Sequence, residues 1–476
     1  MKQNKLLQKV LGKYSHNQSD SFELRDPATD ELIVKLESQS SCYVKDCIQY
    51  AEDAQKQFKD TSCQHKSELL ERWYDLLVKN IDNLAEILTI ESGKPLAESK
   101  GEIQYGANFV KWYAEKAKRI DGRIFELNLA SEGRVDYQPI GVVGAITPWN
   151  FPFAMITRKV APAIAAGCSV VLKPSELTPL SAFACRELFI EAGGDEALFH
   201  IACGDSKVIG KELLESKIIR KITFTGSTRV GKLLMKQAVD SVKKVSLELG
   251  GNAPFIIFQQ ADIDKAVAGF IAAKIRNAGQ VCIAPNRVFV QKNIKEEFVS
   301  KLTAEVANLK LGNGLDEGVK VGPLINDVAV EKVQTHIDDA ISKGSKLIYG
   351  GRVDITLGGR FFTPTIITNV TDDMIVSRDE TFGPLIAILD FENEDEVIER
   401  ANNTNYGLAS YFFSEDIAQI RRVRNQLEYG MVGINTGIIS SEKAPFGGIK
   451  ESGVGREGSD DGIYEFMEVK YSLQSF

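Results

Sequence analysis

From about residue 64 to 119 the apolar positions recur at helical spacing. Leu69, Leu70, Trp73, Leu76, Leu77 and Ile81 carry the pattern, and Gly93 and Pro95 punctuate it. From residue 140 the pattern changes to short apolar runs alternating with amphipathic stretches. Gly141–Ile146 and Ser169–Leu172 predict strands, and Met155–Ala166 predicts a helix ended by Gly167. A helix over Pro179–Ala192 follows, then strands at Leu198–Ile201 and Lys221–Phe224 with a further helix between them. Strands spaced by helices in this way predict βαβ units and a parallel sheet, hence an α/β fold. A second alternating series begins near Ala253–Phe258 and runs to about residue 440, with Asn286–Val290 as a strand and Ile294–Leu309 as a helix. Two segments belong to neither series. Asp121–Pro139 alternates through Arg123, Phe125 and Leu127, and Tyr464–Ser475 looks similar. With no core of their own, both are expected as unattached strands that extend a neighbouring subunit's sheet.

Composition narrows the function classes. At 476 residues the chain is too long for one ordinary core, so two or three domains are expected. A net charge of −8 with no long basic run argues against nucleic acid as the main partner. No apolar stretch reaches the length of a membrane span. Seven scattered cysteines (42, 47, 63, 168, 185, 203 and 282) form no C-x-x-C pair, and only four histidines accompany them. Neither a disulfide framework nor a metal site is expected, and a reducing, cytoplasmic setting fits. The first 19 residues carry Lys2, Lys5, Lys9 and Lys13 without an acid, as a transit peptide would. They contain no Arg, however, and Leu6, Leu7, Val10 and Leu11 make a short amphipathic helix, which is the preferred reading.

The chemistry concentrates in two segments. Cys282 follows Arg276-Asn-Ala-Gly-Gln-Val, and Glu248 stands in Leu247-Glu-Leu-Gly-Gly-Asn252. A thiol flanked by small and polar residues can be reached by a substrate, and a carboxylate beside two glycines can approach another backbone or a cofactor. A nucleophile that forms a covalent intermediate, with a base that resolves it, is a recurrent pairing. A literal G-x-G-x-x-G at Gly453–Gly458 follows Lys450-Glu-Ser rather than a strand, and no βαβ unit comes after it, so it is taken as a turn. The better phosphate-binding candidate is Phe224-Thr-Gly226-Ser227-Thr-Arg-Val-Gly231, which leaves a strand and opens a helix. Lys173-Pro-Ser175-Glu176 sits at another strand's carboxyl end, where open α/β sheets bind ligands. A carboxylate there can accept hydrogen bonds from a ribose diol and would repel a 2′-phosphate. Glu176 therefore favours NAD, with NADP as the second choice, and Arg229 is a counter-argument because it could pair with that phosphate.

Taken together the segments resemble the aldehyde dehydrogenase superfamily over essentially the whole chain. The matching segments are Thr147–Pro152, Lys173–Glu176, Phe224–Thr228, Leu247–Gly251, Gly279–Cys282, Glu380–Pro384 and Pro445–Gly448. Within it the chain is most similar to the succinate-semialdehyde dehydrogenases, through Met155–Lys159, Lys274–Gly279, Gly433–Ser440 and Gly453–Gly458. The resemblance implies a Rossmann-like NAD(P)-binding domain (1–120 and 140–249), an α/β catalytic domain (250–450), and a small β oligomerisation arm with the tail (121–139 and 451–476). It implies a homodimer or homotetramer. Cys282 would attack the aldehyde carbon, Asn150 with the Cys282 backbone N–H would stabilise the oxyanion, and Glu248 would activate water to hydrolyse the thioester. Trp149, Lys173, Ser175, Glu176, Gly226, Ser227, Leu249, Glu380 and Phe382 match cofactor contacts. Arg158, Arg276 and Ser440 match the contacts to a substrate's distal carboxylate, a task suited to the guanidinium fork. The implied reaction is succinic semialdehyde to succinate.

Two positions depart from the pattern. Ala284 stands where some members carry a second cysteine, so a regulatory disulfide there is not expected, and Val281 replaces the more frequent threonine. Three rival readings weaken on particular residues. Transfer of the acyl group to coenzyme A is disfavoured by Glu248. A betaine-aldehyde-type substrate would want an aromatic and acidic box rather than two arginines. A non-catalytic protein of the same fold has no need of Cys282, Glu248 and Asn150 together.

Overall fold

The structure is a computed structural model and describes residues 4–16, 18 and 20–476. Its first sheet has six strands in the order Gly453–Val454, Lys244–Glu248, Ile219–Thr225, Val142–Ile146, Ser169–Lys173 and Phe199–Ile201. Five are parallel, and the short edge strand Gly453–Val454 runs antiparallel, pairing Gly453 with Glu248. The chain enters at Val142–Ile146, winds outward to Phe199–Ile201, then returns to Ile219–Thr225 on the other side. The order therefore reverses between Val142–Ile146 and Ile219–Thr225, and ligands of such sheets settle in the crevice beyond that point. The Gly453–Gly458 segment, expected to be only a turn, closes the edge of this sheet; its glycines 453, 455 and 458 have φ of 152°, 87° and 73°.

The second sheet has seven strands in the order Lys346–Tyr349, Thr365–Thr368, Leu385–Phe391, Pro285–Gln291, Ala253–Ile257, Ala409–Phe413 and Met431–Ile434. All are parallel except the edge strand Lys346–Tyr349. The helical region resolves into Cys63–Lys79, Ile81–Ser92 and Leu96–Lys116, with Gly93 at φ 75° ending the second. Helix Ala154–Ala166 is buried at every position and closed by Gly167, as its continuous apolar run requires. One core cluster joins the helices of 63–116 to the first sheet and to helix Ala154–Ala166; it holds Trp73, Phe109 and Tyr113 together with Val143 and Phe199 of the sheet and Ile156 of that helix. A hairpin, Ser21–Arg25 with Leu32–Glu37, and the helix Ser41–Phe58 had no counterpart in the pattern reading.

The two segments expected as unattached strands find partners within the same chain. Met467–Ser475 pairs antiparallel with Ser131–Pro139, which pairs in turn with Arg123–Asn128. Alternation reports that a strand has two faces but not which strand lies beside it, so the expectation that the two segments stand unattached was wrong; Arg123–Asn128 and Met467–Ser475 are the edge strands of the sheet they form. The outer strand Arg123–Asn128 is exposed at all six positions. No described helix is long and apolar enough to cross a membrane. Among the described residues, no group of three or more His, Cys, Asp or Glu side chains is placed to hold a metal ion.

Candidate active site

Sheet geometry explains why distant motifs meet. Glu248 ends a strand of the first sheet, and five residues later the chain starts Ala253–Ile257 in the second. Cys282 stands just ahead of Pro285–Gln291, and Ala253 pairs with Pro285. Glu380 and Phe382 stand just ahead of Leu385–Phe391, the next strand over. The carboxyl edge of one sheet and the amino edge of the other thus enclose a cavity of about 320 Å³. Trp149, Asn150, Gly226, Ser227, Leu249, Cys282, Glu380 and Phe382 all line it, together with Phe151 and Met155. The start of helix Asp327–Ser342 covers one side through Asn326, Val328, Ala329 and Lys332, a contribution no sequence signal announced.

Two glycines allow the close approach. A Cβ on Gly251 would lie 2.4 Å from the Cys282 carbonyl oxygen, and one on Gly279 would lie 2.3 Å from the Gly383 oxygen. Before Cys282 the backbone is left-handed at Asn277 and Ala278 (φ 51° and 53°) as well as at Gly279. Asparagine tolerates that conformation, but alanine is strained there by on the order of 1 kcal/mol.

Cys282 is half-buried. Burial pushes its thiol up to about 12, with Glu380 and Glu248 acting the same way and Arg158 and Arg276 opposing them. Asn150 donates one amide hydrogen to the Gln280 carbonyl at 3.0 Å, which leaves the other for a ligand. Glu248 is buried and its Oε2 has no hydrogen-bond partner. Burial first, then the neighbouring Glu457, hold its carboxyl well above the usual range, against Arg158, Lys159 and Arg456. Glu457 is paired with Lys159 and lies 3.0 Å from Arg158 Nη2. Burial works to raise the Glu457 carboxyl too, but the two cations outweigh it and hold it below the ordinary value. Glu457 lies inside the segment first read as a turn, and a buried ion pair looks in sequence like any surface charge.

The dinucleotide side is equally specific. Ser227 caps helix Thr228–Ala238, and a Cβ on Gly226 would meet the Phe224 ring at 2.4 Å. Backbone N–H groups at that helix start face the crevice, an arrangement suited to a pyrophosphate. Lys173 is buried and donates to Glu176 at 2.6 Å, while Glu176 is exposed; Ser175 accepts from the Leu177 N–H at 3.2 Å. Glu380 accepts from the Gly251 N–H at 3.1 Å, and burial pushes its carboxyl up to about 7 against that bond and Lys332. Phe382, at φ 57°, sets its ring edge-on to Trp149 at 5.5 Å. These donors, the ring wall and the glycine cradle fit a nicotinamide dinucleotide.

The three expected carboxylate contacts lie beside the cavity rather than on its lining. The Arg158 guanidinium stacks 4.0 Å over Phe446, and its Nε and Nη2 make no hydrogen bond. Arg276 lies 5.1 Å over the Phe151 ring, and its buried Nε also lacks a partner. Ser440 is half-buried in the loop after Met431–Ile434, next to Ile439, which packs on the cluster containing Phe151 and Cys282.

Known proteins share this arrangement of motifs and fold. Residues 14–472 match the aldehyde dehydrogenase family. The chain is 50% identical to a glutarate-semialdehyde dehydrogenase of Pseudomonas aeruginosa, over 95% of this chain and 93% of that one. It is 47% identical to the succinate-semialdehyde dehydrogenase [NADP(+)] of Escherichia coli, over 96% of this chain and 94% of that one. The crystal structure of a succinate-semialdehyde dehydrogenase from Burkholderia pseudomallei superposes with a TM-score of 0.95 at 48% identity, covering 96% of this chain and 95% of that one. With a reachable thiol and a dinucleotide crevice on one cavity, and behind its lining an unpartnered buried carboxylate, Glu248, whose charge acts on that thiol, the chain belongs to the aldehyde dehydrogenase family.

Proposed function

We propose that this NAD(P)-dependent aldehyde dehydrogenase acts on a short semialdehyde with a distal carboxylate, succinic semialdehyde foremost, and yields the dicarboxylate. The observation that carries this reading is the pair of guanidinium groups beside the Cys282 cavity: Arg276 over the Phe151 wall with its buried Nε unpartnered, and Arg158 with its Nε unpartnered and its Nη2 ion-paired to Glu457. Buried donors without partners are costly, and a substrate carboxylate would supply the acceptor that each Nε lacks. The Pseudomonas aeruginosa relative is named for the five-carbon semialdehyde, so glutaric semialdehyde belongs in the test.

The residues divide the chemistry as follows. Cys282 Sγ bonds to the aldehyde carbon and gives up its proton, for which Glu248, with its raised affinity for protons, is the acceptor. The free amide hydrogen of Asn150 and the Cys282 backbone N–H take the oxyanion. When bound, the dinucleotide supplies the hydride acceptor. Trp149 and Phe382 wall the place for its ring, Glu380 the place for the ribose, and Ser227 and Gly226 the place for the pyrophosphate. Once Glu248 has passed that first proton to solvent, it takes a proton from water as the water oxygen bonds to the thioester carbon; the C–S bond then breaks, the proton goes back to the departing Sγ, and the acid is released. Lys173 and Glu176 stand where the adenine ribose would be held. Glu176 favours NAD, but its ion pair with Lys173 offsets part of its charge, so discrimination against NADP is modest.

Comparison of kcat/KM for succinic semialdehyde, glutaric semialdehyde and butanal, each with NAD and NADP, tests both parts. Equal values for succinic semialdehyde and butanal would remove the arginine argument, and a strong preference for NADP would overturn the reading of Glu176. The exposed apolar residues of the arm, among them Ile124, Leu127 and Tyr471, support assembly of two or four copies through that surface.

A further inference from the structure

We propose that Lys94, Glu98 and Glu102 are positioning residues that register the loop bearing Cys282 against the loop bearing Asn150; this rests on the roles assigned above to those two residues. The loops issue from different sheets, so neither sheet's ladder fixes their separation. Two bonds cross directly between them. Asn150 Nδ2 donates to the Gln280 carbonyl at 3.0 Å, and Asn277 Nδ2 donates to the Asn150 carbonyl at 3.1 Å. One starts from Asn277, within the left-handed run Asn277–Gly279, and the other ends on Gln280 just after it; a turn strained in this way keeps its shape only if its surroundings impose it.

Helix Leu96–Lys116, with the Lys94 that precedes it, supplies that constraint from behind the cavity. Glu98 accepts the Asn277 N–H at 2.7 Å and so grips the nucleophile's loop. Glu102, one turn further, accepts the N–H groups of Phe153 and Ala154 at 3.0 and 3.2 Å and so grips the oxyanion donor's loop. Its other oxygen binds the Lys94 ammonium. Lys94, with a side chain 0% exposed, donates to the Asn150 carbonyl at 2.9 Å and lies 3.8 Å over the Phe151 ring. One rigid element therefore touches both loops within a single turn of its own length.

None of the three side chains lines the cavity, so they act through their neighbours and not on the substrate. A buried ion pair is a poor device for stability alone, since apolar residues of similar volume often serve as well. Its hydrogen bonds to three backbone groups of one catalytic loop give it a different use. The reaction requires Cys282 Sγ and the Asn150 amide to meet the same carbonyl group, and a misplacement of about 1 Å costs on the order of a hundredfold in rate.

A double-mutant cycle tests this in the full-length enzyme. Lys94→Met and Glu98→Ala are made singly and in the Asn150→Ala background. Two rates are measured: aldehyde oxidation at saturating NAD, and alkylation of Cys282 by iodoacetamide, a displacement at saturated carbon that needs no oxyanion donor. Each single substitution is expected to lower kcat/KM for the aldehyde by roughly 10- to 100-fold while alkylation changes less than about threefold. In the Asn150→Ala background the same substitutions are expected to cost less than about threefold more. If Lys94→Met does not fold, Glu98→Ala alone decides, because it removes a half-buried carboxylate from a single backbone N–H. Fully multiplicative losses, or alkylation falling in parallel with oxidation, would overturn the clamp and leave the role of Asn150 intact. Unchanged turnover in Asn150→Ala would remove the oxyanion assignment and the clamp with it.

Discussion

Gly251→Ala isolates the steric condition on which the meeting of Glu248 and Cys282 depends. The new Cβ would stand 2.4 Å from the Cys282 carbonyl oxygen, about 1 Å inside ordinary van der Waals contact. Gly251 does not have a positive φ, so alanine suits its backbone and the conflict is purely one of space. The obstacle is a backbone atom and cannot rotate aside. Either Cys282 moves, or the pairing of Ala253 with Pro285 opens between the two strands that adjoin it. A displacement of about 1 Å at the nucleophile is worth on the order of a hundredfold in rate, about 2.7 kcal/mol in the barrier. The assay is steady-state kcat/KM for succinic semialdehyde, with dinucleotide affinity followed by the fluorescence of Trp149 and thermal unfolding as a control. Gly226→Ala makes the contrast. Its Cβ would meet the end of the Phe224 side chain at 2.4 Å, on the crevice side. That variant should weaken dinucleotide binding and leave iodoacetamide alkylation of Cys282 unchanged. Retention of kcat/KM within about threefold by Gly251→Ala, with unchanged melting, would refute the reasoning.

Because Glu248 takes a proton in both steps, Glu248→Gln should slow the first equivalent of NADH as well as lower steady-state turnover by about 10²- to 10⁴-fold; a first equivalent released at the unmodified rate would place Glu248 in hydrolysis alone. In the free enzyme, alkylation of Cys282 should rise nearly tenfold per pH unit from pH 7 to 9, because burial pushes the thiol up to about 12. A plateau below pH 8 would contradict that environment. Burial works to raise the Glu187 carboxyl, but hydrogen bonds from Lys13, Tyr14 and Lys9 outweigh it and lower it to about 2. A depressed carboxyl stabilises the fold above its ordinary value of 4.5 and loses that contribution as pH falls towards 2. Glu187→Gln should therefore lower Tm at pH 7, with a difference that shrinks steadily below pH 4.5; a constant difference would show that packing, not charge, anchors helix Lys5–Tyr14.

Much of this was legible in the order of residues because it depends on local pattern. The βαβ rhythm from Gly141 gives the parallel strands, and the glycine-bearing segments around Glu248, Gly226 and Cys282 mark where backbones approach. What could not be read depends on partners. The arm strands alternate correctly, yet nothing in alternation shows that Met467–Ser475 would choose Ser131–Pro139. Lys94, Glu102, Lys159 and Glu457 look like surface charges in sequence, because burial of an ion pair is decided by elements far apart in the chain. Lys332 enters through a helix whose own pattern serves only its core face.

The edge strand Gly453–Val454 has a consequence for biosynthesis. It pairs with the residues that carry the base, Gly453 opposite Glu248, and the same stretch brings Glu457 to the base's side before running on into the arm. A ribosome builds the chain from its amino end, and the five parallel strands of the first sheet, the second sheet, the thiol and the crevice all precede this piece in the chain. Burial is the first cause of the raised proton affinity of Glu248, and Glu457 in this later segment adds the second. A chain lacking this segment would bring its thiol and crevice together while Glu248 stood without Glu457 beside it.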